Sequence, residues 1–384
     1  MSDIVIIDAV RTPVGRRNGA LRETHPVRLG SYALCEVLAR ANVDPALVDH
    51  VIFGNVSQVS EQTFNIARNI VLDAELPIEV PGTTVDFQCG SSQQAIHLAA
   101  GMIKSGQAEI VVAGGVESMT RVPMGSSMAG GQPFTDTIMA NHNMINQGKA
   151  ADEIAAKWGI SRDKVDQIGY ESHMRAAKAT EAGILQKEFL PIDGLDKEGN
   201  PITLTADEGI RPGTTVEKMG TLDVVFSENG VTTAGNSSQI SDGAAAVLMM
   251  TAEKAEELGL KPRARIVDMV TVGSDPHLML TGPTAATRKL LERTNMTMDD
   301  IDLFEVNEAF AAVVAMWEQD MDADMSKVNV HGGAIALGHP LGCSGARLMT
   351  TLLNALDTHG KTIGLQTMCC GGGMATGTII ERLS

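Results

Sequence analysis

Residues 85–103 read VDFQCGSSQQAIHLAAGMI. An extended segment enters a tight Cys-Gly-Ser turn and leaves as a helix. The strand EIVVAGG (109–115) follows and ends in glycines. Late in the chain, residues 332–353 repeat that order. GGAIALGHPLGCSGARLMTTLL is again extended segment, Cys-Ser-Gly turn and helix, followed by the strand and glycines of TIGLQTMCCGGG (362–373). Turn, helix, strand and glycines at similar spacing in two places indicate an internal duplication of one α/β unit. Further buried strands are expected at 5–9, 51–54 and 109–113, short runs rich in Val and Ile, with helical patterns at 28–41 and 92–104 between them. Such alternation predicts a layered α/β domain.

The stretch 118–240 has a different character. It is rich in Met, Gly and Asn at first (MGSSMAGGQPF, 124–134), then helical at 151–158 and 162–181, then looped around DKEGNPI. This reads as an insertion. The expected organisation is a first half of 1–117 plus 241–262, the inserted region 118–240, and a second half of 263–384, where RIVDMVTVG restarts the alternation.

At 384 residues the chain exceeds what one core usually supports. Its 43% hydrophobic and 20% charged residues suit a folded globular protein, and 3% aromatics imply a core of aliphatic and small side chains. A formal net charge of −17, with no Lys/Arg-rich run, weighs against nucleic-acid binding. It leaves room for an anionic ligand at a local basic cluster. Five cysteines, an odd number without a CxxC pair, point to neither a disulfide framework nor a zinc site. The apolar run in MSDIVIIDAVRTPVGR is too short for a signal segment or a membrane span, and ERLS is not a peroxisomal address, so a cytoplasmic protein is expected.

Cys89 stands at the mouth of a helix opened by Ser91 and Ser92, both capping types. The helix macrodipole is expected to lower its thiol pKa. The alternative is a buried structural cysteine. His339 lies in a loop fixed by Gly338 and Pro340, where it serves either as the base that a Cys nucleophile needs or as a satisfied loop histidine. Cys369 and Cys370 precede Gly371–Gly373 at a strand end; a thiol there can move protons, and glycine N–H groups can face an oxyanion. Asn307, in FEVNEAFAA, either positions a water or the imidazole, or caps the helix that follows.

The chain resembles the thiolase family over nearly its full length, from VRTPVGR to GTIIERL. The resemblance is carried in order by VDFQCGSSQQA, AGGVESM, TAGNSSQISDGAAAV, VNEAFA, GGAIALGHPLGCSGAR and CCGGGMATG. It implies the thiolase fold, a duplicated α/β unit in an αβαβα arrangement with an inserted loop domain. It also implies thiolysis of 3-ketoacyl-CoA by CoA, or the reverse Claisen condensation. CoA is then a substrate, and neither a metal nor a permanently bound cofactor is required. By the same resemblance Cys89 is the acylated nucleophile, His339 its base and Cys369 the second acid/base. Asn307 (through a water) and His339 form one oxyanion hole; the N–H groups of Cys89 and Gly371 form the other. Arg211, in IRPGTT, matches a residue near the nucleotide end of CoA. Phe226, Ala234 and Ser238 match pantetheine and adenine contacts, and Phe310 lies near the thioester. A homodimer or homotetramer is implied, with 124–134 as either the joint between dimers or a mobile loop.

Departures from the common family pattern bear on the substrate. Ser92 stands where a Gly is usual, Cys370 where an Ile is usual, and His331 where an Asn is usual. Asn146-Gln147-Gly148 replaces the His-Met-Gly that faces the acyl chain in many members. QCGSSQQA and the Asn-Gln pair resemble the branch that shortens sterol side chains, which suggests a ring-bearing or branched acyl group. The other readings are an acetoacetyl-CoA-specific biosynthetic thiolase, a ketoacyl synthase-like condensing enzyme and a non-catalytic CoA-thioester or lipid-binding scaffold. The thiol before the glycines, which synthases lack, and the presence of Cys89, His339 and Cys369 favour the thiolase. Thiol proximity implied by the fold also suggests a redox pair between Cys369 and either Cys89 or Cys370.

Overall fold

The computed structural model describes residues 3–383; Met1, Ser2 and Ser384, on which parts of the leader and address readings fall, lie outside them. In the first half β1 (Ile4–Arg11), α1 (Pro26–Ala41), β2 (His50–Gly54), α2 (Ile66–Asp73), β3 (Gly82–Val85), α3 (Ser91–Lys104) and β4 (Ile110–Ser118) succeed one another. The inserted region carries α4 (Gln147–Trp158) and α5 (Arg162–Glu181), and the chain then returns through β5 (Ser241–Thr251). The second half runs β6 (Ala264–Gly273), α6 (Gly282–Thr294), β7 (Leu303–Val306), α7 (Ala311–Met321), α8 (Ser344–His359), β8 (Ile363–Cys370) and β9 (Met374–Arg382).

The strands lie in the order β7-β8-β9-β6-β1-β5-β4-β2-β3. The duplication is visible in the pairing. In the first half β1 and β4 flank β5 antiparallel, and β2 joins β4 in parallel. In the second, β6 and β8 flank β9 antiparallel, and β7 joins β8 in parallel. One pair of carboxylates repeats too. Asp49 accepts from the backbone N–H groups of Glu109 and Ile110, and Asp302 accepts from those of Thr362 and Ile363, at 2.7–2.9 Å. Each fastens the loop before a parallel strand to the start of its neighbour. The halves meet where Val5 and Ile6 pair with Arg265 and Ala264.

Helices cover both faces of each half-sheet. α1 and α2 pack on the outer face of the first half, and α6, α7 and α4 on that of the second. Between the half-sheets lie α3 and α8, whose Ala95, Ile96, Met349 and Leu352 share one core with Ile6, Val111 and Val247 from one side and Leu303 and Ile380 from the other. The result is the expected five-layered αβαβα arrangement. β4 and β5 are buried almost throughout, as central strands between helix layers must be.

The two central helices approach closely because of small residues. A Cβ on Gly345 of α8 would lie 2.3 Å from the backbone nitrogen of Gln93 in α3. At the same crossing Ser92 Oγ accepts from the Ala346 N–H at 2.9 Å. Gln93 extends the tie to β9: its amide donates to Thr378 Oγ1 and accepts from Thr376 Oγ1, both at 2.7 Å. Gly115 of β4 lets Gly342 of the His339 loop press against the strand, since a Cβ there would meet the Gly342 carbonyl oxygen at 2.0 Å. Three remote segments, carrying Cys89, His339 and Cys369, thereby meet at one end of the central layer.

Candidate active site

The turn before α3 is held by Ser91, whose Oγ accepts from Phe87 N–H at 2.9 Å and donates to the Gln88 carbonyl at 2.6 Å. Neither Ser91 nor Ser92 caps the helix, contrary to the sequence expectation. The N-cap is Gly90, without a side-chain bond. Both hydroxyls are taken by tertiary work, one closing the turn and the other tying α8. Gln88 sits at φ +51°, in the left-handed region that costs a non-glycine residue ~1 kcal/mol or more. Such strain is concentrated at functional sites.

Cys89 is buried, with Leu341, Leu348 and Met368 around it. Its thiol pKa is pushed up to about 11 by burial, against which the Gly371 N–H bonded to the sulfur pulls down. The shift runs opposite to the one expected from the helix macrodipole. Removing a thiolate from water costs more than the helix terminus and the N–H return.

His339 is buried and fixed at both ends. Its backbone N–H points to the Gln239 carbonyl and Ser241 Oγ, each at 3.2 Å. Its Nδ1 lies 2.5 Å from Ser344 Oγ, which donates its own hydrogen to the Pro340 carbonyl at 2.8 Å. With that hydrogen committed, Ser344 accepts from Nδ1–H, so Nε2 carries the lone pair. Asn307 Nδ2 faces that nitrogen at 3.4 Å. Burial, and then the charge of Arg347, push the imidazole pKa down to about 3, so it is a neutral base at physiological pH. Asn307 does not cap α7, whose N-cap is Phe310; it is buried beside His339 with Oδ1 unpartnered. Its neighbour Glu308 braces the His339 loop by accepting from Ser172 Oγ, Asn329 Nδ2 and the Ile335 N–H.

Cys369 and Cys370 end β8, fully buried. Burial raises both thiols, and the charge of Cys89 adds to the rise, which places both within electrostatic reach of the Cys89 sulfur. Cys370 also packs on the turn: a Cβ on Gly90 would lie 2.7 Å from its sulfur.

The remaining expected residues occupy two further places. Phe226 and Phe310 meet edge to face, centroids 6.1 Å apart, and Phe226 also lies against Gly148 at the start of α4. The Ser238 N–H donates to the Ala309 carbonyl at 3.0 Å, beside Phe310, while Ala234 is exposed. Arg211 lines a recess of about 120 Å³ with His173, Lys218 and Gly235, the residue after Ala234. Gln147 reaches Gly371, where a Cβ would lie 2.9 Å from its Nε2. The sequence reading missed Ser344, which orients the imidazole from five residues on, and His173, whose Nδ1 accepts from the Arg211 N–H at 3.2 Å. It also missed Gln88, although its place directly before Cys89 was a signal. His359 is bonded to the buried His331, Nε2 to Nε2, at 3.1 Å.

A thiol under a backbone N–H, a neutral imidazole whose Nε2 lone pair faces the Asn307 amide and two further thiols form a site suited to acyl transfer. Residues 4–253 match the family description "Thiolase, N-terminal domain" and residues 260–382 match "Thiolase, C-terminal domain". The chain belongs to the thiolase family. This thiolase is 47% identical to the steroid 3-ketoacyl-CoA thiolase FadA6 of Mycobacterium tuberculosis, over 100% of its own length and 95% of the relative's. It is 44% identical to the 3-ketoacyl-CoA thiolase of Salmonella typhimurium, over the whole of both. The crystal structure of the Bacillus anthracis acetyl-CoA acetyltransferase superposes with a TM-score of 0.92 at 38% identity, covering 100% of this thiolase and 99% of that chain.

Proposed function

We propose that this thiolase cleaves 3-ketoacyl-CoA with CoA to give acetyl-CoA and a shortened acyl-CoA, by way of an acyl group on Cys89. The observation that carries the reading is the Gly371 N–H directed at the Cys89 sulfur, two residues after the thiol of Cys369.

His339 Nε2 takes the Cys89 proton, and the sulfur attacks the C3 carbonyl. The oxygen of the tetrahedral adduct is held by the N–H groups of Cys89 and Gly371. The C2–C3 bond breaks, its electron pair passing to C2, and acetyl-CoA departs as an enolate. The enolate oxygen is held by His339, now an imidazolium, and by Asn307 through a water. The Cys369 thiol protonates C2. The resulting Cys369 thiolate deprotonates incoming CoA, whose sulfur takes the acyl group from Cys89, and His339 returns its proton to the departing Cys89. Dividing the reaction at a covalent intermediate lowers each barrier, and fixed N–H donors at the developing oxyanions contribute ~3–4 kcal/mol each.

In this reading the recess lined by the cations Arg211 and Lys218 and by the neutral His173 takes the nucleotide end of CoA. Phe226, Phe310, Ala234 and Ser238 then line the path of the pantetheine arm, and residues 118–240 cover it. The boundaries 1–117 with 241–262, 118–240 and 263–384 belong to the same proposal, as do a homodimeric or homotetrameric assembly, a cytoplasmic location and independence of any resident cofactor. Among the described residues no helix is long and apolar enough to cross a membrane.

The name of the Mycobacterium tuberculosis relative, together with the Asn146-Gln147 pair, supports a steroid or other ring-bearing 3-ketoacyl group over acetoacetyl-CoA. Steady-state kcat/KM on acetoacetyl-CoA, a medium-chain and a steroid 3-ketoacyl-CoA tests this, with Cys89→Ala as control. Preference for the steroid substrate supports it, and a clear preference for acetoacetyl-CoA rejects it.

A further inference from the structure

Two side-chain amides converge on Gly371. A Cβ at that glycine would lie 2.9 Å from Gln147 Nε2 and 3.2 Å from Gln88 Oε1. They come from different elements, Gln147 as the first residue of α4 and Gln88 from the strained turn before Cys89. Gln88 Nε2 is turned toward the two Asp86 carboxylate oxygens at 3.3 and 3.4 Å, which leaves Oε1 as an acceptor beside Gly371. The Gln147 side chain has no hydrogen-bond partner among the described residues, although it is only partly exposed. A donor without a protein partner thus stands near an acceptor, both next to the residue whose N–H reaches the Cys89 sulfur.

A plain alkyl chain lying there would take the amides out of water and leave them unpaired, which a polar site penalises. A carboxylate would face the like charge of Asp86. A hydroxyl satisfies both groups, accepting from Gln147 and donating to Gln88. We propose that Gln147 and Gln88 act together as specificity residues for 3-ketoacyl groups that bear a neutral hydroxyl close to the reacting carbon. This rests on the thiolase reading above and narrows its substrate class.

The test is a matched pair, 3-ketohexanoyl-CoA and its 5-hydroxy derivative, assayed for thiolysis with wild type, with Gln147→Met and with the Gln147→Met, Gln88→Leu double variant. The expected wild-type kcat/KM is at least ~10-fold higher for the hydroxylated substrate. The ratio is expected to fall in the single variant and to approach one in the double. Because the readout is a ratio, partial loss of folded protein does not alter it. If the double variant is inactive, the single variant decides. A wild-type ratio of one or below, or a ratio unchanged in the variants, overturns the proposal and leaves the thiolase reading standing. Wild type that cleaves neither substrate nor acetoacetyl-CoA overturns the reading itself.

Discussion

As the proposed nucleophile Cys89 has to become a thiolate, yet burial favours its protonated form, with a pKa pushed up to about 11. Only the thiolate alkylates. Iodoacetamide labelling of the free protein, followed by peptide mass spectrometry, is therefore expected to quicken roughly tenfold per pH unit from about 7 to beyond 9. A plateau below pH 8 would show that the helix terminus outweighs desolvation after all. His339, pushed down to about 3, stays neutral throughout that range and adds no acid limb near the usual imidazole value. Its lone pair depends on Ser344. Ser344→Ala, which leaves Nδ1 unpaired, is expected to lower kcat by ~10-fold or more while changing KM little; unchanged kcat would remove Ser344 from the account. Cys89, His339 and Cys369, the proposed nucleophile, base and second thiol, could be singled out only through the family motifs that carry them, since each residue taken alone also allowed a structural role. Ser344 and His173 were not legible, since a hydroxyl and an imidazole gain meaning only from the tertiary neighbours they meet, and Gln88 offered no more than its place before Cys89.

At the scale of elements, the active site exists because α3 and α8 cross in near contact. Gly345→Ala would place a methyl group 2.3 Å from the Gln93 nitrogen, a backbone atom that cannot turn aside. A loss of ~1–3 kcal/mol is expected, read as a lowered urea midpoint. An unchanged midpoint would mean that the crossing is loose. Periodic helices were readable close to their ends; α5 runs Arg162–Glu181 as its pattern predicts. α4 begins at Gln147, four residues before its expected start, because its first turn is set by the Asn146 cap rather than by apolar spacing. The short helix Asp136–His142 and the ribbon of Ile192–Leu195 with Pro201–Leu204 gave no signal. Strand register was equally hidden, since β4 and β5, apolar on both faces, carry no alternation to fix it.

For the whole molecule, the duplication was visible as repeated turn-helix-strand order, but the single core that joins the halves was not. Ile96 of α3 and Leu352 of α8 are buried in one cluster that includes both half-sheets. Neither 1–262 nor 263–384 expressed alone is expected to melt cooperatively, because each would expose half of that layer; a sharp calorimetric transition in either fragment would contradict this. The central claim is convergence of three distant segments on one thioester. Its most direct test is mass spectrometry of the protein incubated with acetyl-CoA and no acceptor. One acetyl group is expected on the peptide containing Cys89, lost when CoA is added and never formed by Cys89→Ala. Acetyl on another residue, or none while thiolysis proceeds, would contradict it.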